Sequence, residues 1–375
     1  MDQRAVAIPS WTEASANDPR LPVEIDASPV YELLMSLLVF SLPDDAETFD
    51  AGPGWFMATR RQASPELLAS AQELSAPAWL WLHLLGVAYK MPAPKRPPQF
   101  LAHLQQFDAE LLAFHVFGCF TSARRVPPAL VQQAQAGDGA ARSRMARVLF
   151  PDDQDHQAAL IRLIALPNVR LKALVIDLLD RWYREIFRQN EREVASVLAG
   201  EARAKRVVGK TSPQRLVRFV TRGIDYMAEP GIRRILLIPS VIVRPWVLMT
   251  TVGSTRVFCY PVEDEAPGEP DAPPSRLVRV HRALAHEDRL RILRALGREP
   301  MTADRLSREL GQPIARVRAH LVLLRAARLV DLQLSSSEVS SVRPNLVPTV
   351  YRMLRAYLPP PAVRSAGEAE LNPNA

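Results

Sequence analysis

A single glycine between two short amphipathic segments is the feature that most constrains the fold of this chain. Residues 303–310 carry leucines at the spacing of one helix face, and Thr302 before them is a typical N-cap residue. Gly311 ends that segment, and residues 312–326 begin with Gln-Pro and return to helical spacing. A glycine-containing turn between two short helices predicts a helix-turn-helix.

The sequence on both sides of this motif completes a small module over residues 276–358. Two apolar helical segments precede it, at about 277–284 and 287–296, where Gly297 is expected to end the second in the left-handed conformation. An apolar run at 329–334, a polar Ser-Ser-Ser turn and a return run at 339–343 predict a hairpin, or wing. A last helix then begins near residue 345, so we predict a winged helix-turn-helix.

The positive charge of the chain is concentrated in this module. Residues 276–358 contain sixteen Arg and seven Asp or Glu, a net charge of +9, whereas the whole chain carries +7. The remaining residues are therefore close to neutral, at −2. A basic module attached to a near-neutral body is typical of nucleic-acid-binding proteins, so double-stranded DNA is the expected partner.

The second helix of the motif carries the predicted DNA contacts. Ala315, Arg316 and Ala319 fall opposite its apolar residues, with Arg318 at the boundary. Small residues let a helix lie deep in the major groove, where Arg binds guanine O6 and N7 and Ala contacts a thymine methyl. Contacts with phosphates are predicted at helix starts and in the wing. These further candidates are Thr302, Gln312, Ser336 and Arg343.

The module resembles the ArsR-type winged helix-turn-helix domain of bacterial transcription regulators. LAHEDRLRILRAL resembles the second helix of that family, and RVRAHLVLLRAARLV, with its His320-Leu321 pair, resembles the recognition helix and its exit. Three positions depart from the family: Arg318 replaces a usual Ser, Ala319 a frequent Arg, and Arg328 a frequent Gly. The resemblance implies a homodimer paired through the first and last helices of the module, but the base preference does not transfer.

Residues 21–262 predict a mainly helical N-terminal domain that ends in a small antiparallel sheet. A short strand at 21–26 precedes the helices, and short β-branched runs follow Arg233. The helices are expected at about 30–38, 65 onward, 78–90, 97–117, 127–136, 152–165, 168–205 and 213–227. Residues 1–20 and 359–375 are expected to be flexible tails, and the acidic, proline-rich residues 263–275 a linker. ILLIPSVIVRP and RVFCYP resemble a domain that precedes such modules in some large bacterial regulators.

Several functions are disfavoured by what the sequence lacks. Cys119 and Cys259 are far apart, and His281, His286 and His320 of the module lack a metal-binding spacing, so we expect no metal site and no cofactor. No signal peptide or apolar span is recognisable, which predicts a cytoplasmic protein. The histidines of the N-terminal domain have no nucleophile in a recognisable turn beside them, so we expect no enzyme.

The expected function is a dimeric, DNA-binding transcription regulator. Its N-terminal domain would respond to a small-molecule effector or to a protein, and the aromatic residues Trp79, Trp81, Phe114, Phe117 and Phe120 either line an effector pocket or form ordinary core. Two alternatives remain open at this stage. One is a protein-interaction scaffold whose winged helix does not bind DNA, and the other is an enzyme fused to a regulator.

Overall fold

The computed structural model describes residues 21–74, 79–120, 126–150, 154–209, 213–227, 229–263, 273–334 and 338–358. The predicted tails at 1–20 and 359–375, most of the predicted linker, and Ser336 lie outside these ranges. The helices are α1 Pro29–Phe40, α2 Gly52–Gln62, α3 Pro65–Leu74, α4 Trp79–Lys90, α5 Pro97–Gln106, α6 Ala109–Val116, α7 Pro128–Gln135, α8 Gly139–Leu149, α9 Gln154–Ile164, α10 Asn168–Trp182, α11 Glu191–Gly209, α12 Pro213–Val220, α13 Ser275–Leu284, α14 Glu287–Leu296, α15 Ala303–Leu310, α16 Ile314–Ala326 and α17 Leu346–Tyr357. The strands are β1 Val23–Ile25, β2 Ile224–Tyr226, β3 Arg234–Ser240, β4 Leu248–Val252, β5 Thr255–Pro261, β6 Met301–Thr302, β7 Val330–Leu334 and β8 Glu338–Val342.

The N-terminal domain is built around α1. This helix is apolar on nearly every side, and its residues from Val30 to Phe40 are all buried. A helix that is apolar all round must be enclosed by other elements, and α4, α5 and α11 pack against α1. A single turn of π-helix, Tyr183–Phe187, follows α10 and leads toward α11, so the helix predicted at 168–205 is interrupted.

One further helix prediction is corrected locally, and two helices were not predicted. The helix predicted at 97–117 is two helices, because Asp108 caps α6 by accepting a hydrogen bond from the amide of Leu111 at 2.8 Å. The helices α2 and α8 were not predicted; α8 begins at Asp138, whose carboxylate accepts hydrogen bonds from the amides of Ala140 and Ala141.

The sheet of the N-terminal domain is mixed rather than wholly antiparallel. Its strand order is β1-β3-β5-β4, in which β1, β3 and β5 are parallel and β4 pairs antiparallel with β5. Residues 241–243, one of the β-branched runs after Arg233 that were expected to form strands, form a turn instead. The buried Glu32 carboxylate accepts hydrogen bonds from the amides of Val241 and Ile242, at 3.0 and 2.8 Å, so these amides are not available to a neighbouring strand.

The C-terminal module contains α13 to α17 and the hairpin β7-β8, with β6 paired to β8. Its core lies between α13, α14, α15, α16 and β7, and includes Val280, Ile292, Leu306, Val317 and Leu324. The predicted fold class, a mainly helical N-terminal domain with a small sheet followed by a helix-turn-helix, is confirmed. Gly297 follows α14 with φ −69°, so its predicted left-handed conformation is wrong.

One strand of the N-terminal half joins the sheet of the module. Helix α12 was predicted to run to residue 227, but it ends at Val220, and β2 follows after Gly223 at φ +113°. Strand β2 pairs parallel with β7, in the register Ile224 to Leu332. The module is therefore held to the N-terminal domain by backbone hydrogen bonds. Among the described residues, none of the helices has the length and apolar character needed to cross a bilayer.

Candidate nucleic-acid interface

The turn between α15 and α16 is fixed by local hydrogen bonds. The Thr302 hydroxyl caps α15 by accepting a hydrogen bond from the amide of Arg305 at 3.2 Å. Gly311 ends the helix at φ +63°, a left-handed conformation that glycine adopts without strain. The Ser307 hydroxyl then donates to the carbonyl of Gln312 at 2.6 Å, directly before α16. This geometry is the helix-turn-helix that the sequence predicted.

Helix α16 has two opposite faces. Val317, His320 and Leu324 are buried in the module. At about 100° per residue, the spacing of an α-helix places a second row of residues on the opposite side. This row, here called the outer stripe, consists of Ala315, Ala319, Val322 and Ala326.

The amino-terminal half of α16 is accessible to solvent. Arg316 lies beside the outer stripe with 59 % of its side chain exposed, and its Nε is 3.7 Å from Oδ2 of Asp288. Ala315 and Ala319 are half-buried. Arg318 is half-buried too and lies near Glu338 of β8, whose pKa is raised by burial and lowered less strongly by Arg325 and Arg318. The structure thus brings Ala315, Arg316 and Ala319 together at one surface.

The carboxyl-terminal half of α16 faces the N-terminal domain. Val322 and Leu323 pack against the large apolar core of that domain. Arg325 and Ala326 lie at a narrow cleft that is also lined by Pro245 and Trp246. Half of the outer stripe is therefore covered by the protein's own N-terminal domain.

The wing is also engaged in contacts with the N-terminal domain. Asp331 of β7 is buried and accepts hydrogen bonds from Arg218 Nη2 and Arg343 Nε, both at 2.6 Å. Arg343 Nη2 also donates to the carbonyl of Arg222 at 2.5 Å. Arg343, a predicted phosphate contact, is held within this intramolecular network, and only 26 % of its side chain is exposed.

The other predicted contacts are distributed unevenly. Thr302 is half-buried and its hydroxyl serves as the cap of α15, while the side chain of Gln312 forms a hydrogen bond with Asp288. Ser336 lies outside the described residues.

A cluster that sequence reasoning did not identify lies under the same surface. His286 caps α14, its Nδ1 accepting from the amide of Asp288 at 3.2 Å, and its ring lies 4.6 Å from the ring of His320. Burial, with the nearby His286 and Arg289, lowers the pKa of His320. Burial tends to raise the pKa of Asp288, but the Gln312 hydrogen bond and the Arg316 charge together bring it below its usual value. Sequence reasoning did not bring these residues together, because His286 and His320 are far apart in the sequence.

The aromatic residues considered for an effector pocket contribute to the core. Trp81 and Phe117 are fully buried, and Phe114 and Phe120 pack against the same cluster while partly buried. The side chain of Trp79 lies outside the described residues.

Comparison with known proteins bears on the module alone. The profile of a family described as "Helix-turn-helix domain" matches residues 284–333, which span α14, α15, α16 and most of β7. No curated protein and no solved structure matches the chain. Together with the geometry of α15 and α16, the family match identifies a helix-turn-helix module and indicates a DNA-binding regulator in general.

Proposed function

We propose that the protein is a sequence-specific transcription regulator of the ArsR type that reads DNA through the amino-terminal half of α16. The observation that carries this proposal is the position of Arg316, exposed on α16 beside the small residues Ala315 and Ala319. A guanidinium there can reach guanine O6 and N7 once the helix enters a major groove, and the small neighbours permit close approach. The +9 charge of residues 276–358 favours association with phosphates.

The contact between the module and the N-terminal domain supports regulation by docking of one on the other. The N-terminal domain covers Val322 and lies against Ala326, which continue the outer stripe toward the carboxyl end of α16. A duplex that follows the whole stripe would meet the N-terminal domain, so full insertion of α16 requires the module to separate from the N-terminal domain. We therefore infer that the described arrangement is the low-affinity state, and that an effector or partner acts by preferring the separated state.

Dimerisation is supported by the last helix. Val347, Tyr351, Leu354 and Leu358 follow one another at helical spacing, and all four are exposed, Val347 at 72 % and Tyr351 at 61 %. An apolar stripe of this kind on a surface helix is typical of a protein interface. We propose that α17 pairs with its counterpart in a two-fold dimer, which would read half-sites about one helical turn apart, roughly 34–36 Å.

The proposal is tested by selecting bound sequences from a random DNA pool and then titrating the selected duplex at several salt concentrations. Binding through phosphates predicts that log K falls linearly with log salt, with a slope of about −0.9 for each phosphate neutralised. Arg316→Ala should weaken the selected site by ~1–3 kcal/mol, roughly 5- to 150-fold, and relax the preference at one base pair.

Arg184→Ala is the matched control, because Arg184 is an exposed arginine of the N-terminal domain paired with Asp180. It removes the same charge and should leave the preference for the selected site unchanged. A flat salt response and equal behaviour of the two variants would contradict the proposal and favour the scaffold function.

A further inference from the structure

Three potential metal ligands converge between α14 and α16. His286 precedes α14, Asp288 lies in its first turn, and His320 lies in the middle of α16. One ring nitrogen of each histidine and a carboxylate oxygen of Asp288 all lie within 4.8 Å of one another. Among the described residues, no other group of three or more His, Cys, Asp or Glu side chains lies close enough together to hold an ion.

His320 is the member of this group that most needs a partner. Only 10 % of its side chain is exposed, and neither ring nitrogen has a hydrogen-bond partner among the described residues. Its Nε2 lies 3.7 Å from Oδ2 of Asp288, beyond hydrogen-bonding distance. Because buried polar atoms are nearly always hydrogen-bonded, an imidazole left unpaired and directed toward a carboxylate points to a missing ligand.

We propose that His286, Asp288 and His320 bind one divalent transition-metal ion of the zinc type. Two imidazoles and a carboxylate are ligands that suit Zn²⁺, Co²⁺ and Ni²⁺, and they leave a further position for water. Metal–ligand distances of about 2.0–2.2 Å place the ligand atoms of a tetrahedral site roughly 3.3–3.6 Å apart. The widest pair of ligand atoms, up to 4.8 Å apart, must therefore close by up to about 1.5 Å through side-chain rotation.

The site has two local costs. The ring of His286 uses Nδ1 to accept the amide hydrogen of Asp288, so a metal bound at that ring competes with a long N-cap hydrogen bond of 3.2 Å. The guanidinium groups of Arg316 and Arg289 lie near enough to oppose a cation. Arg316 is mostly exposed and can turn into solvent.

A bound ion would change the position of Arg316. Asp288 lies close to Arg316 and is hydrogen-bonded by Gln312, and both belong to the surface proposed to contact DNA. A metal that takes the Asp288 carboxylate weakens its hold on Arg316. Metal occupancy is therefore expected to alter DNA affinity, a consequence that rests on the proposed function, whereas metal binding itself does not.

The experiment titrates the full-length, metal-free protein with Co²⁺ and then with Zn²⁺. We expect one equivalent of Co²⁺ to give visible d–d absorption that Zn²⁺ abolishes. His286→Gln and Asp288→Asn should each weaken binding by about tenfold or more. His281→Gln is the matched control, because His281 is an exposed histidine of α13 outside the cluster. His320→Gln is added with a thermal melt, since it replaces a buried residue.

The proposal is overturned if no stoichiometric Co²⁺ signal appears, or if His286→Gln and Asp288→Asn bind Co²⁺ as the unaltered protein does. A second arm measures DNA affinity with and without Zn²⁺. The shift caused by Zn²⁺ should disappear in Arg316→Ala, while that variant still binds Co²⁺. Metal binding without any DNA binding would contradict the proposed function and leave the metal site standing.

Discussion

The two halves of α16 differ in what they contact, although they belong to one continuous helix. The amino-terminal half presents Arg316 to solvent, whereas Val322 and Leu323 of the carboxyl-terminal half pack against the N-terminal domain. The outer stripe runs through both halves, from Ala315 to Ala326. In the proposed function, this surface serves two incompatible occupants, DNA and the N-terminal domain, and DNA binding then depends on how firmly the carboxyl-terminal half is held.

A short strand pairing and several polar side chains hold the module against the N-terminal domain, and with it the carboxyl-terminal half of α16. Strand β2 has three residues, and its pairing with β7 includes the bond from the amide of Leu332 to the carbonyl of Gly223 at 2.9 Å. Asp331 adds charged hydrogen bonds to Arg218 and Arg343. Arg279 of α13 binds Asp50 at 2.7 Å in addition. Polar interfaces between domains of this kind are typically able to separate.

Among the variants that test the difference between the two halves of α16, Gly223→Ala is expected to have the largest effect. A Cβ at this position would collide with the side chains of Asp331 and Arg343, and φ +113° is strained for any residue with a side chain. The substitution should destabilise the docked arrangement by about 3–5 kcal/mol. The loss cannot exceed the free energy that docking contributes, because the domains separate beyond that point. We expect β2 to leave β7, the amide of Leu332 to exchange hydrogen faster by tenfold or more, and DNA affinity to rise.

Gly231→Ala is the matched control for this variant. Gly231 also has positive φ, +84°, but an added Cβ there would have no atom within 4 Å. It should show the backbone strain without faster exchange at Leu332. Unchanged exchange at Leu332 in Gly223→Ala, or a fall in DNA affinity, would count against the docked, low-affinity state.

The sequence was sufficient wherever structure depends on neighbouring residues. The Thr302 cap and the left-handed Gly311 were predicted because capping and turn chemistry act over three or four residues. Arg328, noted in the sequence as replacing a frequent glycine, adopts φ +59° in the same conformation that glycine favours. The helix-turn-helix and its exposed arginine were therefore predictable.

Contacts between distant segments were not predictable in this way. Residues 224–226 looked like the end of a helix, because nothing nearby shows that β7 offers a free edge more than a hundred residues later. The same reason concealed the internal role of Arg343 and the proximity of His286 to His320. Helical periodicity identifies the apolar face that is buried, but it does not identify which domain covers an outer stripe of small residues.

A second prediction concerns the turn that supports the docking surface. Glu32 holds residues 241 and 242, and the same turn presents Pro245 and Trp246 to α16. Burial raises the pKa of Glu32 to about 7, although hydrogen bonds from Ser240 and the amides of Ile242 and Val241 oppose this. Between pH 4.5 and 7 the folded state thus binds more protons than the unfolded state, so this contribution to stability is present at low pH and lost as pH rises.

Comparison with Glu32→Gln isolates this contribution. From pH 5 to pH 8, the free energy of unfolding of the unaltered protein should fall relative to the variant by about 2.5 kcal/mol. Urea unfolding at several pH values measures the difference. Two pH profiles that run parallel would show that the buried carboxyl does not titrate in this range, and would remove it as a support of the docked half.

The smallest effect is expected from Thr302→Ala, which acts only on the solvent-accessible, amino-terminal half of α16. Loss of the hydroxyl that accepts from the amide of Arg305 should destabilise the module by about 1 kcal/mol, as for other N-cap residues. Because α15 positions the start of α16, DNA affinity should fall slightly while exchange at Leu332 is unchanged. Asp138→Ala removes a comparable cap from α8 in the N-terminal domain and should lower stability without changing DNA affinity. If both variants weakened DNA binding equally, the two halves of α16 would not act as separate surfaces, since a loss of local order anywhere would then be transmitted to both.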